Sequence, residues 1–106
     1  MNYYRDYNNP QHAQADDIDI VMGVMALARS LRDDVKRTAA TVPIFEGVAQ
    51  TIINASFMMN NSVARRNVWE FGEHLLKNAR EKWEDIDDMI CDYLSDSLRI
   101  VEEGES

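Results

Sequence analysis

Two pairs of carboxylates in the second half of the chain have a spacing that suits a divalent metal ion. The first pair is Glu70-x-x-Glu73 and the second is Glu84-x-x-Asp87. Residues three apart lie on the same side of a helix, and carboxylate pairs that converge across a helical bundle bind Mg²⁺. The metal would hold substrate phosphates and polarise an attacking water. The spacing therefore raises a hypothesis of metal-assisted hydrolysis.

The segment around the first pair, WEFGEHL at residues 69–75, resembles the all-α nucleoside triphosphate pyrophosphohydrolases. These enzymes carry E-x-x-E and E-x-x-D motifs on successive helices, and the resemblance implies Mg²⁺-dependent catalysis. The ten residues between Glu73 and Glu84 contain no Gly, Pro or clear turn signal. On one continuous helix the two pairs would be about 16 Å apart and could not share a metal. We therefore keep this enzyme as the alternative, and we predict no catalytic residue, no metal and no cofactor.

Other reactive side chains favour structural roles. His12 and His74 have no serine or cysteine partner at a recognisable spacing, and no phosphate-binding loop, dinucleotide-binding, zinc-protease or nucleophile-elbow motif occurs. Cys91 is the only cysteine, which excludes an internal disulfide. The carboxylates around it disfavour a reactive thiolate. These features predict a protein that is not an enzyme.

The net charge of the chain is concentrated in its last quarter. The 106 residues include 19 acids and 11 bases, which gives a net charge of −8. Residues 81–106 hold ten acids and two bases, whereas residues 1–80 hold nine of each. Such a charge argues against direct binding to nucleic acid or to an anionic membrane, and it favours a basic partner.

Six of these acids share one face of the predicted C-terminal helix, opposite its apolar stripe. They are Glu81, Glu84, Asp85, Asp88, Asp92 and Asp96. Like charges one turn apart destabilise a helix by a few tenths of a kcal/mol per pair, and acids near a helix C-terminus oppose its dipole. A local cost of this kind is more typical of a functional surface than of an average one. We predict that this face binds a basic surface on a host protein, and a solvated face without a partner is the alternative.

The segment WEDIDDMICDYLSD at residues 83–96 resembles the C-terminal acidic helix of phage antirestriction proteins that mimic DNA. The shared pattern is Trp-Glu-Asp, an acidic pair, two apolar residues, an acid before Tyr-Leu and a further acid. Val-Pro-Ile-Phe at residues 42–45 is similar to a Val-Pro-aromatic turn of the same group. The resemblance implies an acidic helical protein, often dimeric, that occupies the DNA groove of a host enzyme. This chain departs from the group in four basic residues that interrupt a continuous acidic surface: Arg65, Arg66, Lys77 and Arg80.

Helical periodicity predicts the elements that position these residues. Residues 1–14 show no periodicity and predict an irregular arm, followed by a single helical domain over residues 15–106. The first helix is predicted over residues 16–39, with Asp16 and Asp17 at its N-cap.

Glycine, proline and asparagine predict where the first two helices meet and end. Gly23 marks a close helix crossing. Pro43 suits the first turn of the second helix. Asn60 and Asn61 are poor helix formers and are predicted to end it.

The third predicted helix is the longest and runs from Asn67 to about Glu102, with Asn67 and Glu70 at capping-box spacing. Its 36 residues would extend about 54 Å. We therefore expect it either to bend near residues 78–83 or to project and pair with a second copy. Six residues of its apolar side are predicted to pack in the core or at a dimer interface: Trp69, Trp83, Ile86, Ile90, Tyr93 and Leu94.

Together these features predict an all-α fold, a small three- to four-helix bundle with a long C-terminal amphipathic helix. We expect a homodimer that acts as a phage or mobile-element inhibitor of a host protein with a basic, DNA-binding surface. No run of about 18 apolar residues occurs and the N-terminus lacks the apolar core of a secretory signal, so we expect a cytoplasmic location without membrane contact. A structural subunit of a larger assembly, with the apolar stripe as its functional surface, is a further alternative.

Overall fold

The structure, a computed structural model, describes the backbone of residues 10–103 and the side chains of residues 16–103. The helices are α1 (Pro10–Lys36), α2 (Val42–Ser56), α3 (Ser62–Asn78), α4 (Trp83–Met89) and α5 (Ser95–Glu103). A π-helical segment, Ile90–Leu94, joins α4 to α5. These last three elements follow one another directly and form a C-terminal helix of 21 residues. The predicted all-α bundle is confirmed, and no strand occurs in the described part of the chain.

The first helix begins earlier than its sequence predicts. Pro10 starts α1, as proline favours the first turn of a helix, so residues 10–14 of the expected irregular arm are helical. Residues 1–9 lie outside the described residues.

Asp17 is not the predicted N-cap of α1, because it lies well inside that helix and is only 2 % exposed. Its two carboxylate oxygens accept hydrogen bonds from the backbone N–H groups of Asn60 and Asn61, each at 2.8 Å. A buried carboxylate requires donors of this kind. Asp17 therefore fastens the connection between α2 and α3 to the side of α1.

The end of α1 is set by a residue in the left-handed conformation. Thr38 has a φ of 59°, and the N–H of Ala39 donates to the carbonyl of Asp34 at 2.7 Å. This is the 6→1 hydrogen bond of a Schellman motif, which closes a helix. The helix thus ends at Lys36, three residues before the predicted boundary, and Pro43 lies in the first turn of α2 as expected.

Asn61 is the N-cap of α3, six residues before the predicted cap at Asn67. Its side-chain oxygen accepts hydrogen bonds from the N–H groups of Val63 and Ala64, both at 3.0 Å. The predicted capping box at Asn67 and Glu70 is wrong, because both residues lie inside α3. Asparagine is a poor residue for helix interiors and a good one for N-caps, and here it caps the third helix instead of ending the second.

The long third helix is broken, at the place where the sequence allowed a bend. Helix α3 ends at Asn78, and Ala79 is fully buried in the turn that leads to Trp83. The longest dimension of the molecule is 43 Å, less than the roughly 54 Å of an unbroken helix. Because the chain turns back, the C-terminal helix packs against both α1 and α3.

The core is formed by the apolar faces of all the helices. The C-terminal helix contributes Ile86, Ile90, Leu94 and Val101, all 5 % exposed or less. Helix α3 contributes fully buried Phe71 and Leu75, and the other two helices contribute Val21, Ala28, Leu31, Phe45, Ala49 and Ile52.

The close helix crossing lies at Gly72, not at Gly23. A Cβ atom on Gly72 would lie 2.6 Å from Cγ1 and 3.2 Å from the backbone nitrogen of Ile53, on the neighbouring helix α2. Gly23 is exposed and a Cβ there would meet nothing within 4 Å. The prediction for Gly23 is therefore wrong, and only Gly72 provides the space that lets α2 and α3 approach.

We predict opposite effects for alanine at these two glycines. Gly72→Ala should lower the free energy of unfolding by about 1–3 kcal/mol, because the new methyl group overpacks the α2–α3 contact. Gly23→Ala should raise it by up to about 1 kcal/mol, because alanine favours a helix more than glycine does. Chemical denaturation measures both values, and similar values for the two variants would contradict the assignment of the crossing.

Candidate functional site

Two basic residues near the end of α1 hold the beginning of the C-terminal helix. The Arg32 guanidinium donates from Nη1 to the Asp87 carboxylate at 2.7 Å. One turn later, the Lys36 ammonium lies 4.7 Å from the centre of the Trp83 ring, in the geometry of a cation–π contact. These contacts lie beside the apolar contacts of Ile86, and together they fix the rotation of the helix about its axis.

Asp87 is the one acid of α4 that faces another helix and pairs with it. Its hydrogen bond raises the pKa of Arg32 above the ordinary value, and Asp33, which also pairs with Arg32, adds to this effect. The two side chains of the interhelical pair are 26 % and 40 % exposed. Asp87 is thus used for attachment within the molecule.

Three other acids form a row on the outer side of the same helix, which we call the acidic edge. It consists of Glu84, Asp88 and Asp92, which are spaced by four residues and are all exposed. Within residues 16–103, none of the three forms an ion pair. The acidic edge therefore presents three carboxylates to solvent without a counter-charge from the described part of the chain.

The structure places Glu81 and Asp85, two further residues of the predicted face, in a mixed environment. They line a shallow groove of about 270 Å³ at the turn after α3. Three basic residues line the same groove: Lys77, Arg80 and Lys82. The negative potential is therefore reduced at the start of the predicted face.

Asp96 lies at the other end of the predicted face and has a partner. It accepts a hydrogen bond from Arg99 at 2.6 Å, and Arg99 also lies 3.5 Å from Glu103. The hydrogen bond that Arg99 donates to Asp96 is the main cause that raises the pKa of Arg99. Of the six predicted contact residues, only the three of the acidic edge neither form an ion pair nor line the groove with Lys77, Arg80 and Lys82 in the part of the chain that the structure describes.

The π-helical segment in the middle of the C-terminal helix carries Tyr93. The N–H of Ser95 donates to the carbonyl of Ile90, which is the i→i−5 pattern of a π-helix. Such segments are rare in proteins, and those that occur are often found at functional sites. Ile90 and Leu94 are buried, and the half-buried Tyr93 ring stacks on His74 of α3 with centroids 5.6 Å apart. Tyr93 and Leu94 therefore both pack within the chain.

The two tryptophans predicted to pack lie in different surroundings. Trp83 is half-buried beneath Lys36 of α1. Trp69 is 38 % exposed and lines open grooves on α3. The turn after Asn78 explains this separation, because a single helix would have placed both residues near one face.

The carboxylate pairs of the metal hypothesis do not converge. Glu70 lies 3.7 Å from Arg66, Glu73 lies 3.7 Å from Lys77, and Asp87 is bound to Arg32. Among the described residues, no group of three or more His, Cys, Asp or Glu side chains is arranged to hold a metal ion. Because the chain turns after α3, the two pairs do not lie on one continuous helix, which was the earlier objection to a shared metal. The turn nevertheless does not bring the four carboxylates together as metal ligands.

Comparisons with protein-family models, with curated proteins and with solved structures found no match. No helix in the described part of the chain is both long and apolar enough to cross a membrane. The interpretation of function therefore depends on the geometry of the surface itself.

We predict that the Arg32–Asp87 pair stabilises the attachment of the C-terminal helix. A double-mutant cycle with Arg32→Ala and Asp87→Ala should give a coupling energy of about 0.5–1 kcal/mol, because the pair joins two helices but is partly exposed. The coupling should decrease in about 1 M salt, which screens exposed charges. A coupling energy of zero in thermal or chemical unfolding would show that the pair does not orient the helix.

Proposed function

We propose that this protein is a non-enzymatic binding protein that presents the acidic edge to a basic surface of a partner protein. One observation carries the proposal. Glu84, Asp88 and Asp92 are exposed in a row and have no ion pair within the described residues, on a helix whose opposite face is fastened to α1 and α3. The carboxylates therefore need no rearrangement of the fold before a partner can approach.

The spacing of the acidic edge favours discrete basic side chains as its target. Successive carboxylates are about 6 Å apart along the helix, within the Debye length of about 8 Å at physiological ionic strength, so they act on a partner together. Duplex DNA presents one charge per about 1.7 Å. One copy is thus a sparse imitation of DNA, and the proposed homodimer would raise the density by bringing two edges to one partner.

We further propose that the basic surface belongs to a host protein that binds DNA, and that the chain inhibits this protein by occupying that surface. The support is the resemblance of residues 83–96 to the acidic helix of phage antirestriction proteins. Complementary charge accelerates association and discriminates against wrong partners, which suits an inhibitor. A cytoplasmic location belongs to this proposal, because such targets act beside the DNA.

The alternatives have less support. The pyrophosphohydrolase would need the two carboxylate pairs around one metal, and they do not converge in the described residues. A structural subunit of a larger assembly would have to expose the apolar stripe of the C-terminal helix to other subunits. Ile86, Ile90 and Leu94 of that stripe are buried within the chain itself.

We predict that neutralising the acidic edge abolishes capture of the partner. The wild-type chain and the triple variant Glu84→Gln/Asp88→Asn/Asp92→Asn serve as immobilised baits in a bacterial cell extract, with elution by increasing salt. Proteins held by the wild type should be lost from the variant. A captured protein, once purified, should bind the variant roughly 10- to 100-fold more weakly, with slower association and a flatter salt dependence, because three charge contacts are lost.

The matched control is Asp19→Asn/Asp34→Asn/Glu46→Gln, which removes the same charge from α1 and α2 and should leave capture unchanged. Duplex DNA should compete with the wild-type chain for the purified partner. Equal capture by the edge variant and by the control would refute a role for the acidic edge. Capture that DNA does not displace would refute the DNA-binding surface as the target while leaving the edge intact.

A further inference from the structure

A groove between α3 and the π-helical segment combines aromatic rings with carboxylates. Its volume is about 370 Å³, and we call it the aromatic groove. Three rings and two carboxylates line it: Trp69, His74, Tyr93, Glu70 and Glu73. Clefts that bind ligands have volumes from about 300 Å³ upward. The aromatic groove is therefore large enough to receive a small chemical group or a single side chain.

The surface of α3 brings an aromatic ring and a carboxylate together twice in this groove. Trp69 and Glu73 are four residues apart, and so are Glu70 and His74. Side chains with this spacing are neighbours on the surface of a helix. Each carboxylate of the aromatic groove therefore lies beside a ring.

Contacts within the chain hold one wall of the aromatic groove in place. The Tyr93 ring stacks on the His74 ring, with centroids 5.6 Å apart and an angle of 28° between the planes. The side-chain amide nitrogen of Asn78 lies 3.3 Å from Nδ1 of His74. Tyr93 itself belongs to the π-helical segment, a kind of element often found at functional sites. This wall is thus already formed in the protein alone.

The two carboxylates of the groove have weak partners. Glu70 lies 3.7 Å from Arg66, and Glu73 lies 3.7 Å from Lys77. Hydrogen bonds between a cationic nitrogen and a carboxylate are about 2.7–2.9 Å long, and ion pairs between exposed side chains stabilise a protein little. The Arg66 and Lys77 side chains are 78 % and 69 % exposed. A cation that enters the groove can therefore replace either base at a small cost.

The chemistry of the aromatic groove suits the guanidinium group of an arginine. Ring faces attract cations, and a planar guanidinium both stacks on a ring and donates two parallel hydrogen bonds to a carboxylate. A lysine ammonium has neither the plane nor the paired donors. Glu70 and Glu73 would repel a phosphate or another anion, and an uncharged group would make no use of them.

The acidic edge indicates the source of such an arginine. Asp92 of the edge directly precedes Tyr93 of the groove in the sequence. The Cα atoms of adjacent residues are about 3.8 Å apart, so the edge and the groove adjoin on the C-terminal helix. A basic surface that contacts Asp92 therefore also lies within reach of the aromatic groove.

We propose that the aromatic groove binds an arginine side chain from the basic surface that the acidic edge contacts. The guanidinium stacks on Trp69 and pairs with Glu73, and Glu70 adds negative charge beside it. The source of the arginine rests on the proposed function. The preference for a guanidinium follows from the residues of the groove alone.

A titration of the whole chain with short peptides tests this preference. The probe is acetyl-Ala-Arg-Ala-amide. One control peptide carries citrulline, which has the shape of arginine without its charge, and the other carries lysine, which has the charge without the planar group. The indole N–H signal of Trp69 in a two-dimensional NMR spectrum reports binding, and the signal of Trp83, which lies against Lys36 of α1, is the internal control.

The arginine peptide should shift the Trp69 signal, leave the Trp83 signal in place and bind at least about fivefold more tightly than either control peptide. Equal binding of the citrulline or the lysine peptide would overturn the proposal. A Trp69 signal that the arginine peptide does not shift would overturn it as well.

Variants of the groove test which side chains bind the arginine peptide. Glu73→Gln removes the pairing carboxylate and Trp69→Leu removes the ring, so each should weaken binding by about fivefold or more. The NMR signal of the arginine δ-CH₂ group in the peptide reports binding to both variants. Circular dichroism checks that they fold.

A variant that gains affinity provides a test that misfolding cannot imitate. Lys77→Gln removes the base that competes for Glu73, so it should strengthen binding by about two- to fivefold. The matched control is Arg37→Gln, which removes the same charge from the end of α1 and should change binding by less than about twofold. Binding that is no stronger in Lys77→Gln than in Arg37→Gln, or that is unchanged in Glu73→Gln, would overturn the assignment to Glu73.

The edge variant Glu84→Gln/Asp88→Asn/Asp92→Asn separates this proposal from the proposed function. It should bind the arginine peptide within about threefold of the wild type, because its groove is intact and only distant charge is lost. Loss of peptide binding in the edge variant would overturn the aromatic groove as a site of its own. Equal capture by the edge variant and its control would refute the acidic edge without altering the peptide result.

The purified partner tests the source of the arginine. Glu73→Gln should bind it more weakly than the wild type does, with the acidic edge unchanged in both. Equal binding would overturn the partner as the source of the arginine and would leave the acidic edge as the contact.

Discussion

The apolar side of the C-terminal helix can be buried only because the chain reverses direction after α3. One continuous helix from Asn67 to Glu102 would extend about 54 Å, beyond the 43 Å that the molecule spans. With Ala79 buried in the turn, both halves of the stripe face one core. This reversal determines which side of the C-terminal helix is buried and therefore which side remains exposed.

The rotation of the C-terminal helix about its axis determines which acids lie on the exposed side. Asp87 and Asp88 are neighbours in sequence, yet Asp87 binds Arg32 of α1 whereas Asp88 faces solvent. One acid thus attaches the helix to α1, and the next acid in the sequence is exposed to a partner. An open groove lined by Phe57, Arg65, Arg66 and Trp69 adds basic and apolar side chains elsewhere on the molecule.

Patterns within a single element were the most informative part of the sequence. Helical spacing identifies the buried stripe through Ile86, Ile90 and Leu94, and local charge identifies the outward acids. Contacts between distant segments were not accessible in this way. Asp17 has the appearance of an N-cap, but its partner Asn60 is 43 residues away. The turn after α3 has no Gly or Pro to mark it.

Chemical labelling of carboxylates tests the orientation of the C-terminal helix most directly. A water-soluble carbodiimide and an amine label each carboxyl group at a rate that follows its accessibility, and peptide mass spectrometry reports every site. We expect Asp88 and Asp92 to react at rates close to those of the unfolded chain, Asp87 to react more slowly, and Asp17 to react least. Equal rates at Asp87 and Asp88, or protection of Asp92, would contradict a helix fastened through Asp87 with its acidic edge exposed.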